Sequence, residues 1–197
     1  MHTKASLARD IANCQLCAGL LPDPPKPILQ LGFGAPILIA GQAPGRLTRV
    51  KGLAFDDASG DRLRAWLGVT RAQFYNPALF SILPMGFCYP GAGQSGDLAP
   101  RPECAAHWRR QVLAQHESLA LTLIIGQYAQ QWHLHTQANL TDTVKNWRAF
   151  WPTSLPLPHP SPRNNRWLKA NPWFSQQVLP PLQARVKQLL GKQLSGG

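Results

Sequence analysis

Short, continuously apolar runs alternate along the chain with segments of helical spacing. Pro36-Ile37-Leu38-Ile39-Ala40, Ala78 to Leu83 and Leu121-Thr122-Leu123-Ile124-Ile125 lack the in–out alternation of a half-exposed strand. That pattern predicts strands covered on both faces, as in a parallel sheet. Leu155-Pro156-Leu157-Pro158 reads as a short edge or end strand, because proline has no N–H to give an interior ladder. Residues 3–14 read as a short helix. Ser59-Gly60-Asp61 opens a second, through Leu63, Trp66 and Leu67, which stops near Gly68. Arg101-Pro102-Glu103 starts a helix running to about Glu117. Others are expected from Gln127 to Trp132, from Thr141 to Phe150, and from Trp173 onward, the last broken at Pro180-Pro181. Gly- and Pro-rich loops occupy residues 22–35, Gly41-Gln42-Ala43-Pro44-Gly45 and Cys88 to Pro102.

Strands that alternate with helices predict an α/β fold, here a three-layer α/β/α sandwich with a short, mostly parallel central sheet. The 197 residues fit one domain, 1–197. In such sheets ligands bind beyond the carboxyl ends of the strands. The loops after Ala40, Leu83 and Pro158 are therefore expected to converge on one site.

Composition removes several classes. With 44% hydrophobic and 15% charged residues, the chain can bury a core and is no disordered polyelectrolyte. No apolar run approaches the roughly 18 residues of a membrane span. Met1-His2-Thr3-Lys4 leads into a mixed stretch rather than a signal-peptide core, so a cytoplasmic, non-membrane protein is expected. The net charge of +11 is unevenly spread. Beyond Asp142 there is no acid, and Lys145, Arg148, Arg163, Arg166, Lys169, Arg185, Lys187 and Lys192 supply eight bases. A basic end of this kind points to a polyanion, most often nucleic acid.

Four cysteines, Cys14, Cys17, Cys88 and Cys104, have no secretory context in which disulfides would be the default. Cys14-Gln15-Leu16-Cys17 sets two thiols on one turn, within reach of one metal centre, and lies before the first strand rather than within a βαβ redox motif. With Cys88 and Cys104 on either side of a Gly/Pro-rich loop, the set suits an iron–sulfur cluster or a structural zinc.

The loop Gly41-Gln42-Ala43-Pro44-Gly45, the segment Gly52-Leu53-Ala54-Phe55-Asp56-Asp57-Ala58-Ser59-Gly60, the late His159-Pro160-Ser161-Pro162-Arg163-Asn164 and the cysteine layout occur in one order. Together they resemble the uracil-DNA glycosylase superfamily, and most closely its iron–sulfur-cluster branch, from about Cys14 to about Arg166. The resemblance implies a monomeric DNA glycosylase that hydrolyses the N-glycosidic bond of uracil or a related deaminated base. The alternative is a non-catalytic or differently specific DNA-binding member. It also implies a [4Fe–4S] cluster on Cys14, Cys17, Cys88 and Cys104.

By the same resemblance, Gly41, Gln42, Ala43, Phe55 and His159 surround the flipped base. Phe55 offers a stacking face, and His159 a donor to the charge developing on the leaving base. Pro44, Ser161, Arg163, Asn164 and Arg166 are the expected DNA contacts, with Arg163 or Asn164 filling the gap left in the duplex. Two positions differ from the family pattern. Gln42 stands where an acid is expected, and its amide can orient a water but not take its proton. No Asn precedes Cys88 to read the base edge, and Asn76 lies further upstream. Asp56 and Asp57 are the nearest carboxylates that could help a water, and they read first as helix-start capping and solvated loop charge.

Overall fold

The fold is described from a computed structural model covering residues 3–94 and 96–195; the Met1-His2 start lies outside the described residues. Helix α1 (Lys4–Ala12) precedes strand β1 (Ile37–Ala40). Then come α2 (Arg46–Lys51), α3 (Ala58–Leu67), α4 (Arg71–Phe74) and β2 (Phe80–Ile82). A small hairpin, β3 (Ala92–Gly93) and β4 (Gly96–Asp97), follows. Next, α5 (Pro102–Cys104) passes through a π-helical turn (Ala105–Arg109) into α6 (Arg110–Leu113). Strand β5 (Leu121–Ile125), α7 (Gln127–Leu134), α8 (Leu140–Lys145) and β6 (Ser154–Leu157) complete the central layer. The chain closes with α9 (Asn165–Ala170), a second π turn (Phe174–Val178) and α10 (Leu179–Ser195).

The four long strands form one parallel sheet in the order β2-β1-β5-β6. Every residue of β1, β2 and β5 is buried, which is why their sequences are apolar without alternation. The two faces still divide by period 2. Ile37 and Ile39 pack with Leu63, Phe174 and Val186 on one side, while Leu38 joins Leu7, Ile11 and Trp108 on the other. Helices thus cover both faces, and the three-layer arrangement stands. Strand β6 lies at the sheet edge, with Pro156 opposite Ile124, where its missing N–H costs the ladder nothing on the open side.

Three expectations are corrected. The last helix is not broken at Pro180-Pro181. The π turn runs directly into α10, so the helix continues through both prolines, and the irregular turn lies directly before them, where proline withholds N–H groups from the helical ladder. The helix from Pro102 ends at Leu113 rather than Glu117 and contains the π turn. The Cys88–Pro102 loop is not irregular throughout, since it carries the β3–β4 hairpin. Among the described residues, no helix is long and apolar enough to cross a membrane.

Candidate functional site

The loops beyond the carboxyl ends of β1, β2 and β6 converge on one cleft of about 1130 Å³. Gly41, Gln42, Ala43 and Pro44 line it from the β1 loop, and Pro84 from the β2 loop. His159, Ser161, Arg163 and Asn164 line it from the β6 loop. Phe55 and Asp57 enter from the segment before α3, and Gly96 and Asp97 from the hairpin. Of the residues singled out in the sequence, Arg166 is not in this lining; it is exposed on α9. Asn76 is also elsewhere, its side-chain oxygen accepting from the N–H of Ala78.

Phe55 is held in an unusual backbone state. Its φ is +57°, a left-handed conformation that bulky residues rarely adopt. Its carbonyl accepts a bond from Arg64 Nη1 at 3.1 Å. Behind it the backbone approaches Gly60 so closely that a Cβ there would stand 1.7 Å from the Phe55 oxygen. The ring meets Phe74 edge-on at 6.1 Å and lies 3.6 Å from where a Cβ on Gly41 would be. Such strain clusters at functional sites, and the same residue packs against the main core cluster, so its ring belongs to both the cleft and the core edge. Asp57 caps α3, its Oδ1 accepting from Gly60 N–H at 3.0 Å, and Asp56 pairs with Lys51 and Arg71, as the sequence suggested.

His159 is part-buried on the cleft wall. The N–H of Ser161 donates to its Nδ1 at 3.2 Å. Burial holds its pKa below the usual histidine range, against the opposing pull of the Asp57 and Asp97 carboxylates. The ring is therefore neutral near pH 7, and with Nδ1 accepting, its one proton sits on Nε2. The rest of the loop is braced. Asn164 Nδ2 donates to the His159 carbonyl at 2.7 Å, and Arg62 donates to the Ser161 carbonyl at 3.0 Å and to Asn165 Oδ1 at 2.7 Å. Arg163 lies over the hairpin, with Nη1 2.8 Å from the position of a Cβ on Gly96. Arg62 and Arg64 were not singled out in the sequence, where nothing distinguishes them from surface bases on a helix. Tyr89, which also lines the cleft, was missed too.

On the other side of the β2 exit, Cys14, Cys17, Cys88 and Cys104 line a second, small cavity closed by Leu16, Pro25 and Phe87. All four are free of disulfides. Two sulfurs receive N–H donors: Trp108 Nε1 to Cys14 at 3.2 Å, and Phe87 N to Cys104 at 3.4 Å. Burial raises the Cys17 and Cys88 thiols and pushes Cys104 up to about 12. Among the described residues, no three His, Cys, Asp or Glu side chains come together as one bound metal ion requires. The four thiols surround one cavity without that convergence.

The parallel sheet thus carries a cleft at its carboxyl ends, with the β1 and β6 loops both in its walls. The sequence model of the Uracil DNA glycosylase superfamily matches residues 30–183, which contain every element of the sheet and every cleft residue named above, and the chain belongs to that superfamily.

Proposed function

We propose that the protein hydrolyses the N-glycosidic bond of uracil, or of a related deaminated base, in DNA. The observation that carries this reading is the placement of His159 in one cleft with Phe55 and Gln42, its Nδ1 engaged by the Ser161 N–H so that Nε2 is left to carry the ring's proton. The target base must first leave the stack. Phe55 then stacks on its face. As the bond between C1′ and the base breaks, its electron pair stays with the base, and the His159 Nε2–H donates to the oxygen where the charge collects. A water oriented by Gln42 adds to C1′. Its proton passes to solvent, since the amide takes none, and the released base is protonated from solvent. Arg163, Asn164 and Arg166 contact the DNA, with the phosphate contacts setting a salt-dependent affinity.

One observation favours a second reading, a member that binds DNA without turnover: Gln42 occupies the loop position where a carboxylate would act as base. The deciding experiment presents single- and double-stranded oligonucleotides carrying uracil, hypoxanthine or xanthine, and scores abasic sites alongside affinity at low salt. Release of any of these bases supports the first reading. Binding without release supports the second, and no binding rejects both.

We further propose that the four cysteines hold a [4Fe–4S] cluster rather than zinc. The donor set fits. Four thiols border one small cavity whose other walls are largely apolar, Leu16, Leu21, Pro25, Pro27 and Phe87 among them, and two of the sulfurs accept N–H bonds. When bound, the cluster supplies an anionic thiolate centre that ties the N-terminal CxxC to the loop between Cys88 and Cys104; no step of the hydrolysis runs through it. Anaerobically purified protein is then brown and contains iron. Stoichiometric zinc rejects the cluster but keeps the site, and neither metal rejects both.

A further inference from the structure

Arg109 is only 1% exposed. Its guanidinium donates to the carbonyls of Leu83 at 3.1 Å and Pro84 at 3.0 Å through Nη1, and to His133 Nε2 at 3.0 Å through Nε, with Nη2 2.6 Å from the same nitrogen. Trp132 lies under it at 5.2 Å. All these partners are neutral. Because His133 Nε2 accepts, its ring carries no charge, and burial together with Arg109 pulls that ring to about 3. Among the described residues, no carboxylate pairs with Arg109. A buried cation with hydrogen bonds but no counter-charge is a costly arrangement, and it calls for an anion nearby.

The fold shows where that anion belongs. Arg109 ends the π turn that begins directly after Cys104, and π turns often mark functional positions in helices. Trp108, the neighbouring residue of the turn, donates to Cys14. The segment that Arg109 grips is a wall shared by both cavities. Pro84 and Tyr89 line the cleft, whereas Gly86, Phe87 and Cys88 line the cysteine cavity. That wall is bonded to the β1 loop, Met85 N–H to the Gly41 carbonyl at 2.9 Å and Gly86 N–H to the Gln42 carbonyl at 3.0 Å.

We propose that Arg109 is a positioning residue whose buried charge is balanced by the anionic thiolate centre at Cys14, Cys17, Cys88 and Cys104, and which thereby fixes the shared 84–89 wall against Gly41 and Gln42. The inference rests on the reading of the cysteines as a metal centre. Loss of iron and loss of the wall are two consequences of one missing charge. Outer partners of a metal centre commonly alter its affinity about 10- to 100-fold.

The test compares Arg109→Met, which removes the charge, with Arg109→Lys, which keeps it but loses the forked geometry. Iron release to a chelator is timed in each, and thermal midpoints are measured in the iron-loaded chain and in a Cys17→Ser background that holds no cluster. R109M should release iron about 10- to 100-fold faster than wild type, with R109K much nearer to wild type. R109M should lower the midpoint of the loaded chain but raise that of the C17S chain, where the buried charge has lost its counter-ion. Equal iron release from R109M and R109K, or a wild-type rate in R109M, overturns the proposal. So does a midpoint loss, or a failure to fold, that is the same in both backgrounds, because packing alone would then explain Arg109. Wild-type protein purified anaerobically without any metal rejects the cysteine-site reading itself, and the counter-charge with it.

Discussion

The carbonyl of Phe55 sits where a side chain on Gly60 would have to be, 1.7 Å from an ideal Cβ at that glycine. Gly60 is buried within α3, and its N–H is already taken by the Asp57 cap, so neither partner can step aside without moving the start of the helix. Gly60→Ala should therefore destabilise the protein by about 1–3 kcal/mol, the usual scale of overpacking. A lowered denaturation midpoint at unchanged m-value checks this. Where Phe55 yields instead, release of the base should fall along with stability, because the ring loses its seat between Gly41 and Phe74.

His159 should carry more of the rate than Gln42. A donor aimed at a developing anion contributes about 3–4 kcal/mol, or roughly 100- to 1,000-fold in rate. His159→Ala should lower single-turnover release by that order with DNA affinity nearly unchanged, and Gln42→Ala should cost less, since it only orients a water. Burial keeps the His159 ring neutral to lower pH than an ordinary histidine. Single-turnover release should accordingly hold as pH falls through about 6.5, the ordinary histidine value, and drop only below it. If Gln42→Ala abolishes release and His159→Ala leaves it intact, water rather than the leaving group is the controlled species.

His133 should make the fold acid-sensitive. Its pKa is lowered to about 3, first by burial and then by Arg109 and His135. Between that value and about 6.5 the unfolded chain binds a proton at this site that the folded chain refuses. The neutral-state stability is thus fully present above pH 6.5 and is lost as pH falls toward 3, at up to about 1.4 kcal/mol per pH unit. Denaturant titrations at pH 7.5 and 5.0 should show this fall, and His133→Gln should flatten it. An equally steep fall in the variant would assign the effect to His116 and His159, both of which burial also lowers.

The sheet was legible because its burial leaves a direct mark: β1 and β5 are covered on both faces, and their sequences are apolar throughout. The loops of the cleft were legible through Gly and Pro. The hairpin was not, because two-residue strands of alanine, glycine and aspartate carry no period. Helix α4 left a capping box, Thr70 with Gln73, that a closer reading of local signals would have found. The π turn leaves no local signal, since its partners, Cys14 for Trp108 and the β2 exit for Arg109, are remote in sequence. Arg109 and Arg110 are adjacent and alike in the chain; only the fold buries the first. The basic end proved less uniform than its composition suggested. Arg163 lines the cleft, whereas Arg148 stacks on Trp147 at 4.6 Å and Arg185 bonds Gln188 at 2.8 Å.

That dispersion makes a prediction about salt. If DNA follows the cleft mouth, only the bases beside it lose counterions on binding, and the slope of log K against log salt counts them at about 0.9 per phosphate contact. Arg163 lines the cleft and Arg166 is exposed on the adjoining α9, whereas Arg185, Lys187 and Lys192 lie on α10 and line none of it. Arg163→Ala and Arg166→Ala should each weaken binding to a duplex and lower the slope by about one unit, together about two. Lys187→Ala with Lys192→Ala should change neither. Arg163 adds a further expectation, because its guanidinium lies over Gly96 of the hairpin. Its removal should also raise hydrogen exchange at Ala92, Gly93, Gly96 and Asp97, whereas Arg166→Ala should leave that exchange unchanged. Equal slopes for the cleft pair and the α10 pair would mean that the whole basic end, not the cleft mouth, meets the DNA.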